Sequence, residues 1–131
     1  MSRENVELAR RGVEHVMQTG EPLWEMADED YEIHDHDLLD AREYRGRAGW
    51  ARWLQDWGEA IAEYSVEPEE FIDADDEHVI LVLRLYATGR SSGVKVERQD
   101  AMVFTIRNGK GVRLDYYNSK QQALESVGLE E

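Results

Sequence analysis

The sequence contains no cysteine among its 131 residues, which excludes disulfide bonds, thiolate catalysis and thiolate metal sites. Basic residues are scarce as well, because 15 lysines and arginines stand against 29 aspartates and glutamates, for a net charge of -14. This negative balance argues against a nucleic acid or an anionic membrane as a partner. The lack of cysteine fits a reducing compartment, and we expect a cytoplasmic protein.

Long hydrophobic runs are also missing. The densest run, residues 79–83, is followed at once by Arg84, so no segment is apolar enough to span a bilayer. The first residues lead into a charged amphipathic segment without the apolar centre of a signal peptide, and we do not expect export. The sequence shows no internal repeat or linker, and its length predicts one domain, residues 1–131, with its own core.

The stretch from residue 94 to residue 118 predicts two long strands that fold back on each other. One face of the first strand is apolar except at its middle, where Arg98 and Asp100 lie. Burying charges is costly unless they are paired or used. Asn108 and Gly109 tolerate the positive φ angles of a tight hairpin turn. A long hairpin with a charged pair in an apolar face indicates a curved sheet wrapped around a pocket.

The rest of the chain reads as helices and further strands in an α+β arrangement. Helical spacing predicts helices over residues 3–19, around 23–26, over 48–63 and over 119–127, and alternation predicts strands over 31–36, 65–73 and 78–88. A polar loop is expected between the first strand and the third helix. Pro68 places its strand at a sheet edge. Strand 78–88 has two apolar faces, which predicts helices on one side of the sheet and a second subunit on the other.

The third helix carries an unusually heavy apolar stripe of Trp50, Leu54, Trp57 and Ile61, with Trp53 at its edge. Such a stripe is typical of a protein core, because an indole buries a large area wherever it is placed. A helix this bulky is also suited to cover a pocket.

Asp35 is the first candidate for chemistry. It has the strand parity of Tyr31 and Ile33 and should point where they point, and a carboxyl group in an apolar pocket suits general acid–base work. In the alternative, Asp35 lies beyond the strand end in water, among His34 and His36.

Arg98 and Asp100 are the second candidates. They could orient a substrate carbonyl or carboxylate. In the alternative they neutralise each other, together with Arg84 on the neighbouring strand.

A metal site was weighed at His34 and His36, which share a strand face with Glu32. Neither of the other two histidines is placed to complete a ligand set, since His15 lies within a helix and His78 in a turn. We therefore predict no metal and no cofactor.

The face of the second hairpin strand depends on its turn. A two-residue turn would direct the odd-numbered residues 113–117 to the pocket, whereas a three-residue loop with a bulge would direct Leu114, Tyr116 and Asn118 there. We favour the loop with a bulge, because Val112 and Leu114 then continue the apolar face. Tyr116 becomes either a hydrogen-bond donor in the pocket or a buried tyrosine with a structural partner.

Five short motifs follow one another along the chain: Tyr31-Glu-Ile-His34, Tyr44-Arg-Gly-Arg47, Glu69-Glu-Phe-Ile-Asp73, Arg107-Asn-Gly-Lys-Gly-Val-Arg113 and the ending Gln121-Gln-Ala-Leu-Glu-Ser-Val-Gly-Leu129. In their order and spacing they resemble the nuclear transport factor 2-like superfamily and within it the SnoaL-like polyketide cyclase and ketosteroid isomerase group. The resemblance implies a cone-shaped α+β barrel in which helices and a curved sheet enclose a hydrophobic cavity, usually in a homodimer.

Three catalytic positions of the ketosteroid isomerases can be carried over. The resemblance implies that Asp35 stands at the position of the general base. Met102 stands nearest the oxyanion-hole aspartate, with Asp100 two residues upstream on the same face, and Val13 stands at the oxyanion-hole tyrosine. The isomerase set is therefore not complete in this chain.

The sequence thus predicts a cavity that binds a small hydrophobic molecule, and it leaves three functions open. The first is cofactor-free acid–base catalysis of the isomerase, cyclase or hydratase type, in which Asp35 moves the proton while Arg98 and Asp100 stabilise charge. The second is ligand binding without chemistry, and the third is a structural dimer with a filled cavity. The candidate ligand-binding residues are Trp53, Tyr86, Met102, Phe104, Leu114 and Tyr116.

Overall fold

The computed structural model describes residues 2–37 and 43–129, which form one sheet, three α-helices and a short 3₁₀ helix. The helices are α1 (Ser2–Thr19), the 3₁₀ helix (Trp24–Met26), α2 (Gly46–Ala60) and α3 (Lys120–Ser126). The strands are β1 (Ala27–Asp35), β2 (Glu43–Arg45), β3 (Ile61–Asp73), β4 (His78–Gly89), β5 (Lys95–Arg107) and β6 (Lys110–Tyr117). None of the helices in this part of the chain has both the length and the apolar character needed to cross a membrane.

The six strands lie in the order β2-β1-β6-β5-β4-β3, so the sheet is not closed and β2 and β3 are its edges. The pairing of β1 with β6 is parallel, and the other pairings are antiparallel. Pro68 lies in edge strand β3, next to an irregularity of the β3–β4 pairing, as its missing N–H predicts. Strand β2 was not predicted, because three residues are too short for a readable alternation. Most of the polar loop predicted before it lies outside the described residues.

The inner face of the sheet is the one that α1 and α2 cover. Leu81, Leu83 and Leu85 of β4 lie there in one core with Trp50, Trp53 and Trp57 of α2. The sequence pattern places Trp53 at the edge of the apolar stripe. In the structure Trp53 is instead central to the buried side of α2. Ile61, which was assigned to the helix, begins β3 instead because α2 ends at Ala60.

The outer face of the sheet carries a second core. Ile80 and Val82 of β4, with Ala101 and Val103 of β5, pack there against Ala123 and Leu124 of α3. The prediction that all helices lie on one face is therefore wrong, since the C-terminal helix covers part of the opposite face. The prediction that a second subunit lies on this face is not tested by the structure of one chain.

The hairpin between β5 and β6 turns at Asn108 and Gly109, whose φ angles are 53° and 75°. Arg107 pairs with Lys110, so the turn has two residues, and the three-residue loop that we favoured is wrong. The register then shifts between the pairs Thr105–Arg113 and Ile106–Gly111, which leaves Val112 as an extra residue in a β-bulge. The bulge restores the predicted parity, and Leu114 and Tyr116 lie on the inner face with Phe104 and Met102.

Candidate functional site

A cavity of about 150 Å³ lies between α1, α2 and the inner face of the sheet. Its helical walls come from α1 and α2, and the segment after α1 supplies Pro22, Leu23 and Met26. The sheet contributes a mostly apolar floor: Tyr31, Val66, Pro68, Leu81, Leu83, Met102, Phe104, Thr105, Ile106, Gly111, Arg113 and Leu114. Because nearly all of these side chains are hydrocarbon or aromatic, the cavity favours an apolar occupant.

Five of the six predicted ligand-binding residues lie in the cavity wall or in the core beside it. Trp53, Met102, Phe104 and Leu114 line the cavity. Tyr116 is buried in the same core but is not part of the cavity wall.

Tyr86 was wrongly assigned to the ligand site. It alternates with Leu85 on β4 and so points to the outer face, where its side chain is 39% exposed. Its hydroxyl lies 3.4 Å from Glu67 Oε2.

Asp35 ends β1 with its side chain directed inward, as its parity with Tyr31 and Ile33 predicted. Only 1% of the residue is exposed, so the alternative of a solvated carboxylate is wrong. Its Oδ2 accepts hydrogen bonds from Trp53 Nε1 at 2.7 Å and from Trp57 Nε1 at 2.8 Å. Its Oδ1 accepts a bond from the backbone N–H of Asp37 at 2.9 Å.

Asp100 is fully buried and is held by Arg98 and Tyr116. Arg98 donates from Nε to Oδ1 at 2.5 Å and from Nη2 to Oδ2 at 3.0 Å, and the hydroxyl of Tyr116 also donates to Oδ2. Arg98 Nη2 further donates to Asp37 Oδ2 at 2.7 Å. Arg84 takes no part, because it lies on the outer face beside Glu69 and Glu97. Asp35, Asp37, Arg98, Asp100 and Tyr116 are called the carboxylate cluster below.

The protonation states in the carboxylate cluster follow from these contacts. The hydrogen bond to Asp100 raises the pKa of Arg98 above its ordinary value, which keeps the guanidinium charged despite its partial burial. Burial, followed by the negative charge of Asp100, raises the pKa of Tyr116 above its ordinary 10.0. Tyr116 is therefore a neutral phenol that donates to a carboxylate.

Trp53 lies between the cavity and the carboxylate cluster. Its ring is part of the cavity wall, while its N–H bonds Asp35 and its ring meets that of Tyr116 edge-on at 6.1 Å. The cluster begins directly beyond this wall, because the cavity residue Leu83 pairs with Asp100 across β4 and β5. Neither carboxylate is part of the cavity wall itself.

Sequence reasoning missed the two indoles as partners of Asp35. The available signal was their spacing, since residues four apart on a helix share a face. That spacing was interpreted as apolar packing only, and nothing in it indicates that the N–H groups meet a strand end in the opposite layer.

A second polar group lies on the outer face. Asp115 accepts two hydrogen bonds from Arg113, at 2.8 and 2.9 Å, and lies 2.8 Å from His36 Nε2. Burial alone would raise the pKa of Asp115, but the bonds from Arg113 and His36 outweigh it and hold the pKa below the ordinary 3.8.

His36 therefore bonds Asp115, and it does not join His34 in a possible set of metal ligands. Within residues 2–37 and 43–129, ligand-capable atoms converge at Glu32, His34 and Glu43, which lie within 4.8 Å of one another. The guanidinium of Arg45 already pairs with both carboxylates, with Nη2 3.0 Å from Glu43 and 3.9 Å from Glu32.

Comparison with known proteins identifies a family whose model matches most of the chain. The model of the SnoaL-like domain matches residues 9–114. No curated protein matches the sequence.

Solved structures share the fold along nearly the whole chain. The crystal structure of TerC co-crystallised with polyporic acid has 17% identity and a TM-score of 0.73, over 95% of this chain and 98% of that one. A nuclear transport factor 2-like protein from Burkholderia xenovorans LB400 has 27% identity and a TM-score of 0.71, over 95% of both chains. A protein from Jannaschia sp. CCS1, described as a SnoaL-like polyketide cyclase, has 17% identity and a TM-score of 0.67, over 95% and 91%.

Proposed function

The chain belongs to the SnoaL-like domain family, and we propose that it binds a small, mostly apolar molecule in the cavity between its helices and the inner face of its sheet. The family and the fold do not decide the function, because one fold hosts many activities. The observation that supports the proposal is the character of the cavity wall, in which the side chains nearest the sheet centre are Leu81, Leu83, Met102 and Phe104.

The size of the cavity limits the ligand. Its volume of about 150 Å³ equals that of an engineered apolar cavity, in another protein, that stays dry and takes up benzene or xenon. A ligand with a single ring therefore fits without rearrangement. TerC, which has the same fold, was co-crystallised with a small molecule, which is consistent with ligand binding in proteins of this shape.

Thermal stabilisation by the single-ring compounds benzene and toluene tests the proposal. A ligand that binds only the folded protein stabilises it by RT ln(1 + L/Kd), where L is the free ligand concentration, so the unfolding temperature rises with ligand concentration. Gly12 provides a variant that fills the cavity, because it lines the cavity and a Cβ added there would meet nothing within 4 Å. We expect Gly12→Leu to lose the stabilisation by these ligands.

Gly58 provides the matched control. It is also a helical glycine with nothing within 4 Å of an added Cβ, but it is not part of the cavity wall. Gly58→Leu should gain a similar helix propensity and keep the ligand response. Failure of the whole ligand series to stabilise the wild type would contradict the proposal.

Acid–base catalysis on the same molecule is the second candidate function. It is favoured by the position of Asp35, a buried carboxylate that accepts a hydrogen bond from Trp53, a residue of the cavity wall. In this candidate Asp35 moves a proton, and Tyr116 and Arg98 stabilise developing charge through Asp100. Asp35→Asn should then abolish turnover and leave ligand affinity unchanged, whereas a binding protein has no turnover to lose.

A homodimer and a cytoplasmic location stay predictions from the sequence and the family resemblance. Sedimentation that shows only a 15.2 kDa species would contradict the dimer.

A further inference from the structure

We infer that Trp53 determines which class of ligand the cavity accepts, because its indole lines the cavity and its N–H holds the place where a ligand's hydroxyl group would bond Asp35. The inference rests on the proposed function, since it concerns the same cavity. The wild type then prefers ring compounds that lack a hydroxyl group. A variant with a shorter side chain at position 53 prefers the corresponding phenols.

The first support is that one side chain belongs to both environments. Trp53 is only 4% exposed, its ring forms part of the cavity wall, and its Nε1 lies 2.7 Å from Asp35 Oδ2. Removal of this indole would therefore join the cavity to an acceptor oxygen that is otherwise covered.

The second support is that the bond from Trp53 to Asp35 is replaceable. Trp57 Nε1 donates to the same Oδ2 at 2.8 Å, and the backbone of Asp37 donates to Oδ1 at 2.9 Å. Asp35 would keep these two donors if Trp53 were shortened, so its charge would not be left unpaired. Trp57 itself is not part of the cavity wall.

The chemistry of the ligand follows from what lies beside Trp53 in the cavity wall. With Trp53 present, its N–H is already donated to Asp35 Oδ2, and the wall is otherwise mostly apolar, with Leu83 and Met102 among its side chains. A hydroxyl buried there would lack a partner, which weakens binding by roughly tenfold or more. With Trp53 shortened, the same hydroxyl can donate to Asp35 Oδ2, and a hydrogen bond to a charged acceptor strengthens binding by a similar factor.

The test is a pair of ligands that differ by one hydroxyl, toluene and 4-cresol, titrated by calorimetry into four proteins. These are the wild type, Trp53→Ala, Trp53→Leu and the control Trp57→Phe. The leucine variant retains more packing than the alanine variant, so it provides a folded protein if the larger truncation unfolds. The control removes the other indole N–H from Asp35 without altering the cavity wall.

The quantity compared is the ratio of the two affinities, which cancels differences in overall stability. We expect the ratio to move toward 4-cresol by about tenfold or more in both Trp53 variants and to stay near the wild-type value in Trp57→Phe. An unchanged ratio in a folded Trp53 variant would overturn the inference. An equal shift in Trp57→Phe would overturn it too, because the cause would then be the loss of a donor and not the opening of the wall.

Failure of the proposed function gives a different result. If the wild type bound neither ligand, the proposed cavity function would be wrong. In that case, a Trp53 variant that bound 4-cresol in preference to toluene would still support the role of Trp53 in ligand selection. A variant that bound the two ligands equally well, or bound neither, would overturn that role.

Discussion

Replacement of Arg98 by methionine is the substitution most revealing of how the carboxylate cluster is held together. Methionine keeps most of the length of the side chain and removes its charge and donors. Asp100, which is 0% exposed, would lose the bonds to both of its oxygens from Arg98 and keep the one from Tyr116. Removing one partner of a buried ion pair costs about 3–5 kcal/mol, and we expect about 3 kcal/mol because water reaches part of the Arg98 site.

Urea unfolding of the wild type and of two arginine variants measures this cost. Arg84→Met is the control, since Arg84 lies on the same sheet in ion pairs of 3.4 and 3.7 Å that are partly open to solvent. Such pairs contribute about 0–1 kcal/mol to the free energy of unfolding.

The reasoning would be refuted if Arg98→Met cost no more than Arg84→Met. A second check uses the double variant Arg98→Met, Asp100→Leu, in which the unpaired carboxylate of Asp100 is removed as well. It should be more stable than Arg98→Met alone, because the leucine removes the unpaired buried charge of Asp100, although the carboxylates of Asp35 and Asp37 stay in the cluster. A double variant that is less stable than the single one would show that Asp100 contributes through something other than its pairing with Arg98.

Two further predictions concern neighbouring polar contacts. Tyr116→Phe removes a buried donor to Asp100 and should lower the free energy of unfolding by about 1–3 kcal/mol, whereas Tyr64→Phe, at a side chain that is 48% exposed, should change it by less than about 0.5 kcal/mol. Equal losses of unfolding free energy in Tyr116→Phe and Tyr64→Phe, measured by urea unfolding, would contradict this prediction. The lowered pKa of Asp115 means that its stabilisation is present above its ordinary 3.8 and is lost as the pH falls through the lower folded value. Asp115→Asn should therefore lose less stability than the wild type when both are unfolded in increasingly acidic buffers, and identical acid profiles would contradict this.

Much of the fold could be predicted from local patterns, because alternation and helical spacing report which face of an element is buried. Asp35 is the clearest case, since its parity with Ile33 gave its inward direction. The pairing of Arg98 with Asp100 also followed from two charges on an apolar face, because burial forces opposite charges together.

Other features depend on contacts between layers and could not be predicted in the same way. The Trp53–Asp35 and Trp57–Asp35 bonds join residues 18 and 22 positions apart, and neither side chain reveals from its own spacing what lies opposite. The side of the sheet that α3 covers depends on the path of the chain after β6. Tyr86 was included among the candidate ligand-binding residues, although alternation already placed it on the face of β4 opposite to Leu85.

The carboxylate cluster and the cavity lie on the same inner face but differ in whether their contacts are complete without a ligand. The cluster holds its two buried carboxylates, Asp35 and Asp100, in hydrogen bonds that need no ligand. The cavity beside it presents an apolar wall that gains stability only when it is filled. Ligand binding is thus expected at the cavity first, and chemistry at the cluster requires a change at Trp53.

A crystal structure of the protein under xenon pressure shows whether the space beside Trp53 is a ligand site. Xenon enters dry apolar cavities and is seen by its scattering. We expect a xenon atom between α1 and the inner face of the sheet, against Val13, Trp53 and Met102. Crystals in which this space holds protein side chains, with xenon bound elsewhere or not at all, would show that no ligand site exists there.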